Sequence, residues 1–380
     1  MNAHGTVWPE VPLGEICEFK YGRSLPGPLR VAGDVPVYGS NGVVGAHNEA
    51  ITTGPTIVVG RKGSFGEVAF SSSPCWPIDT TYYIDRTATK ADLRWLAYRL
   101  SALGLTGLNR AAAIPGLNRE DAYRQRLLLP SLLEQRRIAE VLDRAEALRA
   151  RRRVALAQLD TLTQSIFLDM FGDPVANPKG WQTAPLQEIA LRGSGGLKRG
   201  PFGGALKKEV FVSCGYKVFE QQHAIYKNYA AGRYFITEPK YRSMQGFAVQ
   251  PGDFIVSCSG TVGRIFRLPP TAPKGVINEA LLRIRIDESQ VTPTFFEALF
   301  ESVGFQRGLL GGAHGTGIDN FPPMGQMRAT KTVVPPLAVQ HEFVRRVAVV
   351  EQLKAAHRAS LTQMEALFAS LQHRAFQGEL

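Results

Sequence analysis

The chain has 380 residues, 44% of them hydrophobic and 20% charged, with a formal net charge of +11. That length holds at least two cores of ordinary size, and that composition excludes an intrinsically disordered chain. No run approaches the ~18 consecutive apolar residues of a membrane span. Met1–Val7 has neither a basic nor an apolar stretch, so a cytoplasmic protein without a secretory signal is expected.

In chain order, Trp8 comes first and Leu13-Gly14-Glu15-Ile16 follows it. Residues 1–130 then read as a first domain of short strands between turns. Pro36-Val37-Tyr38, Thr56–Val59 and Thr81–Ile84 are the strand candidates. Two glycine-flanked polar loops lie among them, Tyr38-Gly39-Ser40-Asn41-Gly42 and Gly60-Arg61-Lys62-Gly63-Ser64-Phe65-Gly66. A helix is predicted over Lys90–Leu103, with Leu93, Leu96, Ala97 and Leu100 on one face. From Glu134 to Asp169 there is no Pro or Gly, and Val141, Ala145, Leu148, Ala155, Leu159, Leu162 and Ile166 keep 4-3 spacing, broken by Arg152. This predicts a coiled-coil helix within 131–173, stopped by Phe171-Gly172-Asp173-Pro174.

The chain then repeats itself. Trp181 and Leu186-Gln187-Glu188-Ile189 restate the opening, and Pro336-Leu337-Ala338-Val339-Gln340 restates Ser131-Leu132-Leu133-Glu134-Gln135. The offset is 173 residues at Trp8 and Trp181 and 205 at Gln135 and Gln340, so the second copy carries 32 more. Residues 174–335 form the second domain. Its strand candidates are Gly252–Val256 and Leu281–Ile286, and its helix is predicted over Pro293–Val303. The segments Lys198–Lys208, Gln221-Gln222-His223 and Ser257–Arg264 are loop candidates. In 336–380 the heptad register returns at Val350, Leu353, Met364, Leu367 and Leu371, with His357 opposite the Arg152 slot.

A period this long is not a solenoid, whose repeats run roughly 20 to 50 residues. Strands and helices mix without βαβ alternation, which predicts an α+β fold. Its parts are two α/β domains with mixed sheets, separated by two long antiparallel coiled-coil helices in pseudo-two-fold arrangement. About 35 helical residues make a rod of roughly 50 Å. That scale suits a spacer between two DNA contacts ~34 Å apart.

The charge divides unevenly. Residues 1–130 hold 13 Lys and Arg against 11 Asp and Glu, while 174–335 hold 19 against 11. The helical segments 131–173 and 336–380 are nearly neutral, at 7 against 7 and 5 against 4. Basic surface on the globular parts suits a polyanion, because each neutralised phosphate releases counterions; a solvated surface is the alternative.

Catalytic motifs are missing. No Gly-x4-Gly-Lys-Ser/Thr loop and no His-Glu-x-x-His occurs, and Asn320-Phe321-Pro322-Pro323 has the letters of an adenine-methylation motif in the wrong order. Gly311–Gly317 is glycine-rich without a preceding strand. Cys17, Cys75, Cys214 and Cys258 are too widely spaced for a metal knuckle or redox pair. What remains is the pair of polar loops, Gly63-Ser64-Phe65-Gly66 and Gly260-Thr261-Val262-Gly263, 197 residues apart. Small residues there let backbone approach a surface while hydroxyls, amides and nearby cations contact phosphates or base edges. Tight turns that need glycine are the structural alternative.

The order of Pro36–Gly42, Gly60–Gly66, Pro77-Ile78-Asp79-Thr80-Thr81-Tyr82-Tyr83, Leu133-Glu134-Gln135-Arg136-Arg137-Ile138-Ala139 and Gly252–Gly263 resembles the specificity subunit of type I restriction–modification systems. Pro336–Glu342 departs from it by lacking Arg-Arg-Ile. The resemblance implies two target recognition domains, each reading half of a split double-stranded DNA sequence, on a chain without catalytic activity of its own. It implies that S-adenosylmethionine, ATP and Mg belong to partner subunits: methyltransferases, two of them, docked on the helices, and a translocating restriction subunit. The candidate DNA contacts are Ser40, Asn41, Arg61, Lys62, Ser64, Lys198, Arg199, Lys207, Lys208, Ser259 and Thr261. The candidate seam and docking positions are Leu148, Leu159, Leu162, Ile166, Leu353, Met364, Leu367 and Leu371. Two rival readings stay open: an endonuclease with an unrecognised site, and a scaffold that binds protein through its helices.

Overall fold

A computed structural model describes residues 8–108, 116–193, 195–202, 204–310 and 321–380. The run Gly311–Gly317, Asn320, and Met1–Val7 therefore lie outside the described residues. The chain divides into two compact units, Met1–Val154 with Arg358–Leu380, and Ala155–His357. Each contains one globular domain and parts of two long helices, Leu132–Phe171 and Leu337–Gln377.

In the first unit, Glu10–Pro12 pairs antiparallel with Arg126–Leu128, and the helix Leu13–Ile16 follows at once. A four-stranded antiparallel sheet runs Lys20–Tyr21, Thr81–Ile84, Thr56–Gly60, Val68–Ser71. Thr56–Gly60 is buried along its whole length, as an apolar run covered on both faces should be. A second sheet runs Gly42–His47, Val35–Gly39, Trp76–Pro77, the last pair parallel. The helix Leu93–Ala102 starts at Asp92, whose carboxylate accepts from the amides of Arg94 and Trp95 at 3.0 Å. Its Leu93, Trp95, Leu96 and Leu100 enter the core.

The second unit repeats this plan. Thr183–Pro185 pairs with Lys331–Val333, and Leu186–Ile189 is the short helix. Its four-stranded sheet has the same order: Leu197–Arg199, Leu281–Ile284, Phe254–Ser257, Ile265–Arg267. Register matches as well, since Val59 faces Tyr82 and Val68 while Val256 faces Leu282 and Ile265. The other sheet has five strands: Phe211–Val212, Phe235–Ile236, Tyr216–Phe219, Gly275–Ile277, Ala248–Val249. It keeps one parallel pair, Tyr216–Phe219 with Gly275–Ile277. The extra residues concentrate here, for the offset rises from 178 at Tyr21 and Arg199 to 197 at Gly60 and Ser257. The fold is the expected α+β with mixed sheets and two long helices.

Local departures have physical causes. Lys198 and Arg199 lie on a strand rather than a loop, paired with Arg283 and Leu282. Gln221–Ile225 is a short helix because the buried His223 ring bonds Glu220 and, at 2.7 Å, the Ala231 carbonyl. A further helix, Val303–Leu310, follows Pro293–Glu301.

Each long helix is anchored on its domain by a buried glutamine. Gln135 accepts from the Asp92 amide at 2.8 Å and donates to the Pro130 carbonyl at 2.9 Å. Gln340 accepts from the Thr292 amide at 2.7 Å and donates to Pro335 and Gln290 carbonyls at 2.8 and 2.9 Å. Asp92 and Thr292 are the N-caps of the two domain helices, so the same device joins long helix to domain helix in both units.

Within the first unit the long helices run antiparallel. Arg137 donates to the Leu380 carbonyl, Arg149 stacks on Phe368 at 4.3 Å, and Arg153 pairs with Glu365 at 3.4 Å. Within the second, Asp160 pairs with Lys354 at 2.9 Å and Phe167 packs on Phe343. The seam is not the one expected at every position. Leu159, Ile166, Met364 and Leu371 are half-buried, but Leu148, Leu162, Leu353 and Leu367 are 53%, 37%, 46% and 59% exposed. The covered row carries Arg149 and Lys354 next to those leucines. Long cations bury their stems and keep a partner for the charge, so the seam does not read as apolar. No helix among the described residues is long and apolar enough to cross a membrane.

Candidate functional site

In the first unit three turns meet at one carbonyl. Thr80 O accepts from the amides of Arg61 and Lys62 at 2.9 and 3.2 Å and from Ser40 Oγ at 2.6 Å. Ser40 and Asn41 form the tip of the hairpin Val35–Gly39/Gly42–His47. The Arg61 guanidinium donates to the Asp79 carbonyl at 2.6 Å and lies 5.3 Å from Tyr21 and 5.9 Å from Tyr82. Arg119 covers Tyr21 from 5.6 Å. Burial first, then Tyr21, pushes the Tyr82 hydroxyl up to about 12 against the opposing pull of Arg61 and Arg119.

The loop Gly60–Gly66 and its counterpart Ser257–Gly263 share one backbone. The Gly66 amide donates to Gly60 O at 2.8 Å, and the Gly263 amide to Ser257 O at 2.8 Å. Gly63 and Gly66 have φ of +71° and +77°; Gly260 and Gly263 have +64° and +79°. A Cβ on Gly66 would stand 2.4 Å from the Thr106 nitrogen, and one on Gly263 2.3 Å from Gln306 Oε1. Conformation favours glycine at both, and at Gly66 the Thr106 and Leu105 backbone leaves no room for a Cβ. The turn below each loop is also repeated: the amide of Cys258 donates to Ala280 O at 2.8 Å as that of Arg61 does to Thr80 O.

Side chains on this shared scaffold differ. In the first unit the loop supplies the arginine and the edge strand supplies Tyr21. In the second the edge strand supplies Arg199, whose Nε donates to Glu279 O at 3.4 Å, and the loop supplies Cys258. Burial pushes the Cys258 thiol up to about 12, so it stays protonated. Ser257 Oγ donates to Thr261 O at 2.6 Å and accepts from the Arg264 amide at 3.0 Å, which stiffens the second loop.

Of the candidate contacts, Asn41, Lys62, Ser64, Lys207, Lys208 and Thr261 are exposed, and Ser40, Arg61, Lys198, Arg199 and Ser259 are half-buried. The structure brings Ser40, Arg61 and Lys62 together at Thr80, and Ser259 and Thr261 onto one loop. Lys198 lies over Phe247 at 4.9 Å. Lys207 and Lys208 stand apart, on the segment before Phe211–Val212. Sequence reading missed Tyr21, Arg119 and the 79% exposed Phe202. Tyr21 had a signal: Tyr21-Gly22 aligns with Arg199-Gly200, and the two glycine amides donate to Thr81 O and Leu281 O. Among the described residues no group of three or more His, Cys, Asp or Glu is placed to hold a metal ion.

The arrangement offers cations, hydroxyls and an amide on rigid turns, a donor and acceptor set for phosphates and base edges. No curated protein matches the chain in sequence. Residues 6–156 match the family profile described as type I restriction modification DNA specificity domain. Among solved structures, the type I restriction–modification S subunit from M. genitalium is 14% identical, with 99% of this chain and 98% of that chain covered and a TM-score of 0.54. A chain of a type I R-M system, solved to explain its complex assembly and conformational transition, is 15% identical, with both chains covered in full and a TM-score of 0.61. Residues 6–156 thus resemble the type I restriction modification DNA specificity domain, in a chain that shares its fold over its whole length with the M. genitalium S subunit.

Proposed function

We propose that this chain is the DNA-recognition subunit of a type I restriction–modification complex, without catalysis of its own. It binds a split, asymmetric double-stranded target, one half-site per domain, and positions methyltransferase and restriction subunits there. The observation that carries this reading is the repeated loop scaffold with exchanged side chains. The same backbone at Gly60–Gly66 and Ser257–Gly263 supports two readers, and Arg61 and Tyr21 against Cys258 and Arg199 support two different half-sites. The exposed Leu148, Leu162, Leu353 and Leu367 support docking of partner subunits along the helices. S-adenosylmethionine, ATP and Mg belong, on this reading, to those partners.

Methylome sequencing of cells with and without the chain tests it. A two-part motif that disappears with the chain is the expected result. Affinity of the purified methylase complex should also fall when either half-site is scrambled. Undiminished affinity with one half scrambled overturns the bipartite reading, and DNA cleavage by the isolated chain overturns the non-catalytic one.

A further inference from the structure

The hairpin Val35–Gly39/Gly42–His47 carries two side chains that no role yet uses. Val43 opposes Tyr38 and Gly45 opposes Val37, so Val44 is the extra residue of a bulge, and both valines are open to solvent, at 59% and 44%. Val44 lies over the hairpin's own Gly39, where a Cβ would stand 2.9 Å from its Cγ1, and Val43 is the more open of the two. Gly42–His47 is an edge strand whose ionisable residue, His47, is buried and accepts from the Val31 amide. Edges are normally blunted by charge, proline or a cover, and here Arg30 covers the Val44 carbonyl while the two valine side chains stay open to an occupant.

Two observations identify that occupant. Arg30 donates to the Val44 carbonyl at 2.7 Å and to the Leu25 carbonyl at 3.3 Å, which braces the hairpin and fills an acceptor that an added protein strand would need. The turn at the tip is fixed, through Ser40 Oγ, to the Thr80 carbonyl that also holds the Arg61 and Lys62 amides. The apolar tip is thus continuous with the cationic loop and suits a polyanion that displays apolar groups. A two-stranded ribbon fits the DNA major groove, where the thymine C5-methyl is the apolar mark.

Resting on the proposed DNA-recognition role, we propose that Val43 and Val44 enter the major groove of the first domain's half-site and read A·T pairs through the thymine methyl group. The probe is a duplex carrying the methylated motif with each thymine of that half-site replaced in turn by uracil, which removes only the methyl. Full chain in its methylase complex should lose about fivefold in affinity at one or two of these positions, the scale of a buried methyl group. The V43S/V44S variant should bind the thymine and uracil duplexes equally, with uracil replacements in the other half-site without effect on either protein. A first half-site lacking A·T pairs, or equal binding of thymine and uracil duplexes by the unaltered chain, overturns the inference while leaving DNA recognition intact. Indifference to scrambling of both half-sites instead overturns the recognition role itself. Loss of methylase assembly in V43S/V44S with uracil sensitivity absent marks the hairpin as a protein contact and also overturns it.

Discussion

At Gln340 a fully buried amide makes three hydrogen bonds, one to the Thr292 amide and two to the Pro335 and Gln290 carbonyls. Gln340→Met keeps the volume but strands three buried backbone groups, each worth about 1–3 kcal/mol when left unpaired, so a loss of roughly 3 kcal/mol is expected. The urea midpoint of the second unit's transition measures it, and a midpoint within error of the unaltered chain would reject the anchor. A second residue-scale prediction concerns acid. Asp85 bonds Lys20 at 3.0 Å and Thr87. Burial raises its pKa, but the hydrogen bonds of Thr87 and Lys20 outweigh burial and hold the carboxyl below its ordinary value. A depressed carboxylate adds stability above its unfolded pKa and loses it as pH falls through the folded value. The first unit of the unaltered chain should therefore weaken more steeply below about pH 4 than that of Asp85→Asn. Parallel urea midpoints from pH 5 to pH 3 would contradict this.

On the scale of elements, the helix seam separates adjacent residues sharply. Phe368 lies 6.1 Å from Tyr98 and 4.3 Å from the Arg149 guanidinium, while Leu367 is 59% exposed. Phe368 is partly buried, so Phe368→Ala should cost about 2 kcal/mol, less than the roughly 3–5 kcal/mol of a fully buried phenylalanine. Leu367→Asp should stay within ~0.5 kcal/mol, as surface substitutions do. Thermal unfolding compares them directly, and equal losses would reject the seam. Leu159→Asp, by contrast, puts charge on a half-buried seam position and should destabilise the second unit. The existence and length of the helices were legible, because absence of Pro and Gly and the 4-3 spacing are local signals. Their register was not, because Arg149 and Lys354 enter the seam through partners 219 and 194 residues away in sequence, Phe368 and Asp160. The loop backbone was legible from glycine spacing. The engagement of Arg61 by Asp79 and Tyr21 was not, since it needs the strand order.

For the whole molecule, the repeat in the sequence reappears as strand order, register and glutamine anchors in both units, while the five-stranded sheet adds residues without a counterpart to a parallel pair that both units share. That growth carries charge. The segment 174–335 holds 19 Lys and Arg against 11 Asp and Glu, and 1–130 holds 13 against 11. Lys207 and Lys208 are both exposed there, and among the described residues no hydrogen bond or ion pair engages their side chains. Phosphate contacts lower affinity uniformly when removed and reduce the salt slope by about 0.9 per contact. K207A/K208A should therefore weaken binding to the motif and to unrelated duplexes alike, and reduce the slope of log affinity against log salt by nearly 2. Asn41→Ala and Thr261→Ala should leave that slope unchanged and each relax preference at its own half-site. Titrations at several salt concentrations, on intact and half-scrambled duplexes, separate the two behaviours. A changed slope for Asn41→Ala, or an unchanged one for K207A/K208A, would reverse the division between the residues that read and the residues that hold.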